Sequence, residues 1–381
     1  MNFDNLKHFM DDMAARYTPG NAVSVYIGGK KVYEYACGVS DIASEKPLSG
    51  DEYFNIYSCS KVATVTAAMQ LVERGIIRIN DPLYEYIPEY RDMYVKSESG
   101  IKRAQKPITI GDLFAMTSGL DYEFDTGAMR AARIKTNGRM DTLEVVKCLA
   151  SEPLSFEPGT HWQYSLSHDV LAGVVETVSG KKFRDYMREN IFEPLGMDKT
   201  VYHHTPEIEA NMMSQYHYEP EQNILGKIVP EQFRDIGKPV YGYVLGEEYD
   251  SGGAGITSTV GDYIKLAAAL SLGGEYNGER ILSPYSIELM KVNRLGNEQL
   301  ADFNWQGLEG YGYGLGVRTH MNRALSGSLS SIGEFGWGGA AGANMFVDTS
   351  LLLAVFYVQH TMNQKDPKSE MRLRNAIYSC L

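Results

Sequence analysis

Residues 53–75 read YFNIYSCSKVATVTAAMQLVERG, a short strand-like stretch that runs directly into a long helical pattern. Apolar residues recur at helical spacing after the stretch, and they are Val62, Val65, Met69 and Val72. Gly75 is typical of a helix end, because glycine adopts a left-handed backbone conformation without a Cβ penalty. The segment therefore predicts a strand, a turn and a buried helix in succession.

Ser58 and Lys61 stand three residues apart in this segment, in the pattern S-x-x-K. On a helix this spacing places both side chains on one face, so the lysine amine can reach the serine oxygen. A serine hydroxyl is a poor nucleophile until a neighbouring base takes its proton. If Ser58 opens the helix, the helix dipole also favours negative charge on its oxygen. Two interpretations stay open: a catalytic nucleophile with its activating lysine, or a capped helix start with a solvated lysine.

Two further S-x-x-K patterns occur in the chain, beginning at Ser99 and at Ser179. The first lies in the polar stretch 97–106, which predicts a surface loop, and the second follows a predicted helix at a turn. Only Ser58 leads from a strand-like stretch into a long apolar-faced helix. This context favours Ser58 as the candidate nucleophile.

Strand patterns occur at both ends of the chain. Residues 21–39 predict a β-hairpin around Gly28-Gly29. Residues 313–319 predict one strand near the C-terminus, and residues 342–347 and 351–358 predict a further pair. Between the two ends, the apolar spacing is mostly helical.

This distribution predicts an α+β fold. We expect one antiparallel sheet, flanked by helices and built from residues 1–57 and 256–381, with a mostly helical lobe at 58–255 inserted between them. The cleft between the lobes is the expected ligand site. Residues 209–252 are aromatic-rich without a clean period, which favours a wall or lid over that cleft.

The composition argues against several classes of partner. The formal net charge is −12, whereas nucleic acids and anionic membranes attract clustered Lys and Arg, so we expect neither as a partner. The longest apolar run is too short to span a membrane, and residues 1–17 predict a polar-faced helix rather than a secretion signal. The cysteines are Cys37, Cys59, Cys148 and Cys380. Their wide spacing favours a reducing compartment, so we expect a cytoplasmic protein without a metal site or cofactor.

Two later segments also carry candidate chemistry. Tyr164-Ser165-Leu166 lies in an aromatic turn just before a predicted helix, and Trp337-Gly338-Gly339-Ala340 lies in a glycine-dense run at a strand start. Glycines there would let a backbone N–H approach a substrate closely. From these residues alone, a packing tyrosine and a core tryptophan are the ordinary alternatives.

In this order and spacing, the Ser58 motif and the two later segments resemble the serine β-lactamase and penicillin-binding protein superfamily. The closer resemblance is to its esterase branch, the family VIII carboxylesterases, which are similar to class C β-lactamases. The resemblance covers nearly the whole chain. Further collinear segments are Asp81-Pro82-Leu83, residues 108–113, residues 117–120, Glu157-Pro158-Gly159, residues 194–197 and residues 252–259.

The resemblance implies roles for individual residues. Ser58 would be the nucleophile, Lys61 its activating partner, and Tyr164 would share the general-base and general-acid work. The backbone N–H groups of Ser58 and Ala340 would form the oxyanion hole. No cofactor is implied.

Two departures from the β-lactamase pattern concern the substrate. Trp337 stands where the third motif usually begins with lysine, and an indole cannot bind a substrate carboxylate as lysine does. Leu166 stands where the second motif commonly ends in asparagine, so a contact to a substrate amide is lost. With Gly338 and Gly339, these residues are the expected substrate-binding set, and they favour neutral, more apolar substrates.

The leading hypothesis is therefore hydrolysis of a small-molecule ester with a short acyl chain, through a Ser58 acyl-enzyme. One alternative is cleavage of β-lactams or D-amino-acid peptides by the same residues. Another is a non-catalytic binding protein that keeps the fold. The chain has no G-x-S-x-G motif, and the glycines of residues 310–316 do not have nucleotide-loop spacing.

Overall fold

The computed structural model describes residues 1–224, 227–237 and 245–381 of the chain. Its α-helices, in chain order, are α1 (Asp4–Arg16), α2 (Ser60–Glu73), α3 (Ile110–Ala115), α4 (Gly127–Lys135), α5 (Thr142–Leu149), α6 (Ser167–Ser179), α7 (Phe183–Met187), α8 (Pro206–Ala210), α9 (Val260–Ser271), α10 (Pro284–Met290), α11 (Asn297–Asp302), α12 (Arg323–Ser326) and α13 (Ser369–Tyr378). Its strands are β1 (Gly20–Ile27), β2 (Lys30–Asp41), β3 (Lys46–Pro47), β4 (Phe54–Asn55), β5 (Tyr94–Ser97), β6 (Gly100–Arg103), β7 (Gln215–Glu219), β8 (Gln222–Ile224), β9 (Lys227–Val229), β10 (Gln232–Gly237), β11 (Thr257–Ser258), β12 (Glu275–Tyr276), β13 (Glu279–Arg280), β14 (Tyr311–Tyr313), β15 (Arg318–His320), β16 (Phe335–Gly338), β17 (Asn344–Asp348), β18 (Leu353–Gln359) and β19 (Thr361–Met362).

An eight-stranded antiparallel sheet forms the framework, in the order β14-β15-β16-β17-β18-β1-β2-β3. The pairing of β1 with β18 joins the two ends of the chain. In this pairing Val25 lies opposite Val355, and Val23 lies opposite Tyr357. Such β-branched and aromatic residues pack well on a pleated surface. The prediction of an α+β fold, with a sheet built from both chain termini, is confirmed.

Helices cover both faces of this sheet. On one face α1 and α13 pack against Val23 and Val25. The apolar stripe of α1 consists of Leu6, Phe9, Met10 and Met13, each at most 5% exposed. Burying one such side chain contributes about 1.5–3 kcal/mol. On the other face α9 lies against β1, β17 and β18, so the sheet is enclosed.

Helix α2 lies in the larger core, where it packs against α6. Twelve of its 14 residues are buried, which is the pattern of a helix surrounded on all sides. This packing holds the turn in front of α2 in a defined position. Among the described residues, no helix combines the length and the apolar character that a bilayer crossing requires.

Two local predictions are wrong. Residues 313–319 contribute to two strands rather than one, because the chain reverses where the N–H of Gly314 donates to the carbonyl of Val317 (2.8 Å). Residues 97–106, predicted as a loop, include most of the β5–β6 hairpin. The strands of that hairpin are short and largely exposed, so they carry no apolar alternation by which the sequence would reveal them.

The aromatic-rich region 209–252 contributes short strands at one side of the sheet. Strand β7 pairs with β10 and, in parallel, with β19, which connects this region to the C-terminal segment. Residues 225–226 and 238–244 lie outside the described residues. The lid expected from this region therefore stays a prediction.

Candidate active site

Ser58 lies in a single turn of 3-10 helix, Tyr57–Cys59, between β4 and α2. Tyr57 has φ +46°, a left-handed conformation that is strained for a bulky side chain. Its buried side chain donates a hydrogen bond to Gln215 Oε1 (2.9 Å), which holds the residue in that conformation. The sharp turn places the half-buried Ser58 just ahead of the first residue of α2.

Lys61 is fully buried in the first turn of α2. Its Nζ donates to the carbonyl oxygen of Gly253 (2.7 Å) and to Ser58 Oγ (3.3 Å). The same nitrogen lies 4.5 Å from the centre of the Tyr164 ring. The lysine is thus held by a backbone carbonyl on one side and by the serine hydroxyl on the other.

Tyr164 reaches the same serine from the segment that precedes α6. Its hydroxyl donates to Ser58 Oγ at 2.6 Å, and the indole N–H of Trp337 points at the tyrosine oxygen at 3.4 Å. The tyrosine ring is stacked between Tyr122, at 5.6 Å between ring centres, and Trp337, at 5.8 Å. Stacking on both faces restricts the ring, so the hydroxyl stays directed at Ser58.

Strand β16 brings the third segment to the turn that carries Ser58. A Cβ at Gly339 would overlap the carbonyl oxygen of Ile56, so only glycine lets this strand end approach the nucleophile turn so closely. The N–H of Gly339 donates to Ala343 O (2.7 Å), and that of Gly342 donates to Gly339 O (2.8 Å). These bonds close a turn in which Ala340 is exposed toward the cavity.

A cavity of about 290 Å³ opens beside Ser58. Its walls include Tyr164, Trp305, Leu308, Trp337, Ala340 and Met371. The only cation in its described lining is Arg318, which is 2% exposed and bonded to Glu334 Oε1 (3.1 Å). A mostly aromatic and aliphatic wall, whose arginine is buried and ion-paired with Glu334, suits uncharged ligands better than anions.

Most of the predicted site residues come together in this place. Ser58, Tyr164 and residues 337–340 line the cavity, and Lys61 lies directly behind Ser58. Leu166 does not join them: it is 1% exposed, is absent from the described cavity lining, and its N–H bonds to Asp121 O (3.0 Å). Leu166 is therefore a core residue, and its position does not support the predicted contact with substrate.

The other two S-x-x-K patterns have no comparable geometry. Ser99 lies exposed in the turn between β5 and β6. Ser179 is the last residue of α6, and Lys182 beyond it pairs with Asp141 (2.8 Å). In neither case does a helix run from the serine to the lysine, so the two side chains are not brought onto one helix face.

Two ionisable neighbours of Lys61, His168 and Cys59, are held in neutral forms. Burial, and then the Lys61 charge, lower the pKa of His168 to about 3. Burial raises the pKa of the Cys59 thiol well above its ordinary value. Both side chains are completely buried, so neither is a candidate acid or base near neutral pH.

Sequence reasoning missed one residue behind Lys61. Asp169 is completely buried in α6 and accepts a hydrogen bond from the N–H of Gly253 (3.2 Å). The signal available in the sequence was an acidic residue within the valine-rich pattern of that helix. In the folded chain this residue lies beside the Gly252-Gly253 pair. Trp305 is half-exposed in the cavity wall.

The cavity draws residues from both predicted lobes. Ser58 and Tyr164 belong to the range 58–255, whereas Trp305 and Trp337 belong to the range 256–381. This is the arrangement expected of a site between lobes. The division of the chain into those two lobes itself stays a prediction.

Several proteins of known sequence are similar to this chain over most of its length. Protein Rv1367c of Mycobacterium tuberculosis strain H37Rv is 29% identical over 85% of this chain and 81% of its own length. Esterase EstB of Burkholderia gladioli is 27% identical, over 92% of this chain and 88% of its own length.

Solved structures share the architecture. EstCE1, a hydrolase with promiscuous acyltransferase activity, superposes with a TM-score of 0.78 at 23% identity, over 98% of this chain and 97% of its own. A family VIII carboxylesterase gives a TM-score of 0.76 at 19% identity, over 100% and 97%. At these identities the likeness establishes a common fold.

One family model spans the elements that build the site, from α1 to α13. The model that describes the beta-lactamase family matches residues 5–378, which include Ser58, Lys61, Tyr164 and Trp337. A match over this much of the chain establishes membership of the family. This chain belongs to the beta-lactamase family.

Proposed function

We propose that this protein is a serine hydrolase that cleaves short-chain carboxylic esters through an acyl-enzyme on Ser58. One observation carries the proposal: Ser58 Oγ accepts hydrogen bonds from both Tyr164 Oη and Lys61 Nζ at the wall of a largely apolar cavity. The similarity to an esterase of Burkholderia gladioli supports the same reaction class.

In the first half-reaction, the reactive form of the Tyr164–Lys61 pair carries one proton fewer than a phenol beside an ammonium. The Ser58 oxygen attacks the ester carbonyl while its proton passes to Tyr164 Oη in this form of the pair. The new C–O bond makes a tetrahedral oxyanion, which the backbone N–H groups of Ser58 and Ala340 would stabilise. The bond to the alcohol then breaks, and the alcohol oxygen takes the proton from Tyr164. The acyl group remains on Ser58.

In the second half-reaction, water replaces the alcohol in the same position. Tyr164, with Lys61 behind it, accepts a proton from this water as its oxygen attacks the acyl carbonyl. The ester bond to Ser58 breaks, and the serine oxygen takes that proton back. One ester and one water give one carboxylic acid and one alcohol, and the enzyme returns to its starting state.

The preference for neutral esters rests on the charges at the cavity wall. Arg318 is paired with Glu334, and Trp337 occupies the position where a lysine would bind a carboxylate in β-lactamases. An anionic substrate would therefore lose hydration without gaining a free cation among the described lining residues. Esters of acetate or butyrate avoid this cost, and the cavity of about 290 Å³ suits short chains.

The test is hydrolysis of 4-nitrophenyl acetate, butyrate and octanoate by the purified protein. We expect turnover of the two shorter esters to exceed that of octanoate, and we expect Ser58→Ala to abolish it. Ser99→Ala is the matched control, since it removes the serine of an exposed S-x-x-K pattern and should keep full activity. No hydrolysis above the Ser58→Ala background would refute the proposal.

The same preparation separates the alternatives. Faster turnover of a cephalosporin than of butyrate would favour β-lactam hydrolysis. Absence of Ser58-dependent labelling by a fluorophosphonate probe would favour a non-catalytic protein.

We also propose a reducing compartment, the cytoplasm, as the place where the protein acts. All four cysteines lie within the described residues and are free thiols. Retention of four free thiols in protein purified from its native cells under alkylating conditions would agree with this proposal, whereas a disulfide would contradict it.

A further inference from the structure

A buried carboxylate lies behind the candidate catalytic lysine. Asp169 is 0% exposed in α6. Its Oδ1 accepts hydrogen bonds from the hydroxyls of Tyr249 and Ser251 and from the N–H of Gly253. Three donors therefore converge on this one oxygen. Its other oxygen, Oδ2, has no hydrogen-bond partner among the described residues.

Gly253 is the only spacer between this carboxylate and Lys61. Its N–H donates to Asp169 Oδ1 (3.2 Å), and its carbonyl oxygen accepts from Lys61 Nζ (2.7 Å). A Cβ on this glycine would overlap Asp169 Oδ2 and would stand 3.2 Å from Lys61 Nζ. The unpartnered oxygen and the lysine nitrogen therefore face each other across the space that glycine leaves empty.

Three other ionisable groups near Lys61, those of His168, Cys59 and Tyr249, do not supply a compensating negative charge. His168 is neutral near pH 7, because burial lowers its pKa to about 3. Burial raises the pKa of Cys59 and, together with Asp169, that of Tyr249. Tyr122 and Tyr164 present their ring faces to the lysine nitrogen, at 5.8 and 4.5 Å from the ring centres.

A buried carboxylate with one oxygen left without a donor is costly unless a nearby positive charge offsets it. A purely structural acid would be expected to use both oxygens, as the fully bonded Oδ1 does. Asp169 instead leaves the oxygen that faces Lys61 without a donor. The arrangement makes sense when the ammonium across the glycine is its counter-charge.

We propose that Asp169 is a positioning residue for this hydrolase, and that its negative charge holds the Lys61 ammonium beside Ser58. The inference rests on the proposed function and deepens it. Asp169 touches neither the cavity nor Ser58, so it acts through Lys61 and the Gly253 peptide.

The pH dependence of ester hydrolysis follows from this role. Removing a negative charge beside a buried ammonium makes each proton of the coupled pair easier to lose. In Asp169→Asn, the acid limb and the alkaline limb of the pH profile of kcat/KM should therefore both move to lower pH. The expected shift is about one pH unit for the loss of a charge at this distance. The variant loses activity relative to wild type on the alkaline limb and gains relative activity on the acid limb.

The experiment measures kcat/KM for 4-nitrophenyl butyrate from pH 5 to 10 in wild type, Asp169→Asn and Tyr249→Phe. Tyr249→Phe is the matched control, since it removes one hydrogen bond from the same carboxylate and keeps its charge. Its limbs should stay in place. A structural defect alone would lower the rate by one factor at every pH, and unshifted limbs in Asp169→Asn would overturn the inference.

Gly253→Ala provides a second test if Asp169→Asn does not accumulate as folded protein. The added methyl would push the carboxylate and the ammonium apart while both charges remain, so its limbs should move in the same direction by a smaller amount. Unmoved limbs in this variant would equally overturn the inference. A wild type without ester hydrolysis would instead refute the proposed function, so the two failures are distinguishable.

Discussion

Tyr164 Oη donates a 2.6 Å hydrogen bond to Ser58 Oγ, although the two residues are 106 positions apart in the chain. The serine comes from the turn before α2 and the tyrosine from the turn before α6, and these two helices pack against each other. The contact of the hydroxyls therefore depends on the packing of two buried helices. At this distance a proton can pass directly between the two oxygens.

Tyr164→Phe should lower kcat for 4-nitrophenyl butyrate by about 10²- to 10⁴-fold, the range for loss of a general acid–base group. KM should change little, because phenylalanine keeps the ring stacked between Tyr122 and Trp337. Steady-state kinetics measures both constants. A fall in kcat of less than threefold would contradict the role.

Tyr313→Phe is the matched control for that variant. The ring of Tyr313 meets Trp337 edge-on at 5.2 Å, yet its buried hydroxyl has no hydrogen-bond partner among the described residues. Removing this hydroxyl should leave kcat within twofold of wild type. Equal losses in both variants would mean that the aromatic packing, and not the Tyr164 hydroxyl, supports activity.

Gly339→Ala should damage both catalysis and stability. The new methyl would overlap the Ile56 carbonyl, which pushes the Ala340 turn away from Ser58. We expect a loss of about 100-fold in kcat, as for a displaced oxyanion donor, and about 1–3 kcal/mol less unfolding free energy from overpacking. Kinetics and urea unfolding measure the two effects.

Gly261→Ala is the control for the general cost of a methyl group on glycine. Gly261 is exposed in α9, and nothing lies within 4 Å of the position that its Cβ would take. Alanine favours a helix over glycine by up to about 1 kcal/mol, so this variant should be as stable as wild type or more so. Full activity is expected. A shared loss in the two variants would contradict the assignment of the effect to the Ile56 contact.

The sequence could predict those parts of the site that depend on local spacing. Ser58 and Lys61 are three residues apart, and one turn is enough to bring them together. The Gly253–Lys61 contact spans 192 positions and starts in an irregular, aromatic-rich region. Periodicity carries no information about such a pairing, so Gly253 and Asp169 became visible only in the folded chain.

The differences between sequence and structure have the same kind of cause. Leu166 was assigned to the substrate because of its place in a motif, whereas in the structure it directly precedes α6 and lies in the core. The hairpin of β5 and β6 was missed because exposed strands lack a buried face. The sheet was predictable, because its strands alternate or run apolar at both chain ends.

Thiol reagents should not inactivate the native enzyme, although Cys59 is the neighbour of Ser58. The side chain is 0% exposed, and burial raises the pKa of its thiol, which keeps the reactive thiolate scarce. After N-ethylmaleimide treatment at pH 7.5, activity should persist and mass spectrometry should find Cys59 unmodified. In urea all four cysteines should react. Native labelling of Cys59 with parallel loss of activity would contradict this expectation.

Acid should destabilise the fold through His168, whose pKa is lowered to about 3 by burial and by the Lys61 charge. The unfolded chain binds a proton at an ordinary histidine pKa near 6.5, whereas the folded chain does not until about pH 3. Unfolding therefore takes up a proton in this window, and the stabilisation is complete above pH 6.5 and lost as the pH falls toward 3. The slope approaches about 1.4 kcal/mol per pH unit.

Urea unfolding of wild type and His168→Gln between pH 7 and 4 measures this contribution. Glutamine can still donate to the Phe114 carbonyl, which His168 Nε2 faces at 3.2 Å, but it does not titrate. As the pH falls, the free energy of unfolding should decrease less steeply in the variant than in wild type. The two slopes should differ by about 1.4 kcal/mol per pH unit below pH 5.5. His8→Gln, at an exposed position, should keep the wild-type slope. Equal slopes in wild type and His168→Gln would mean that the imidazole is protonated in the folded core, which its burial beside Lys61 argues against.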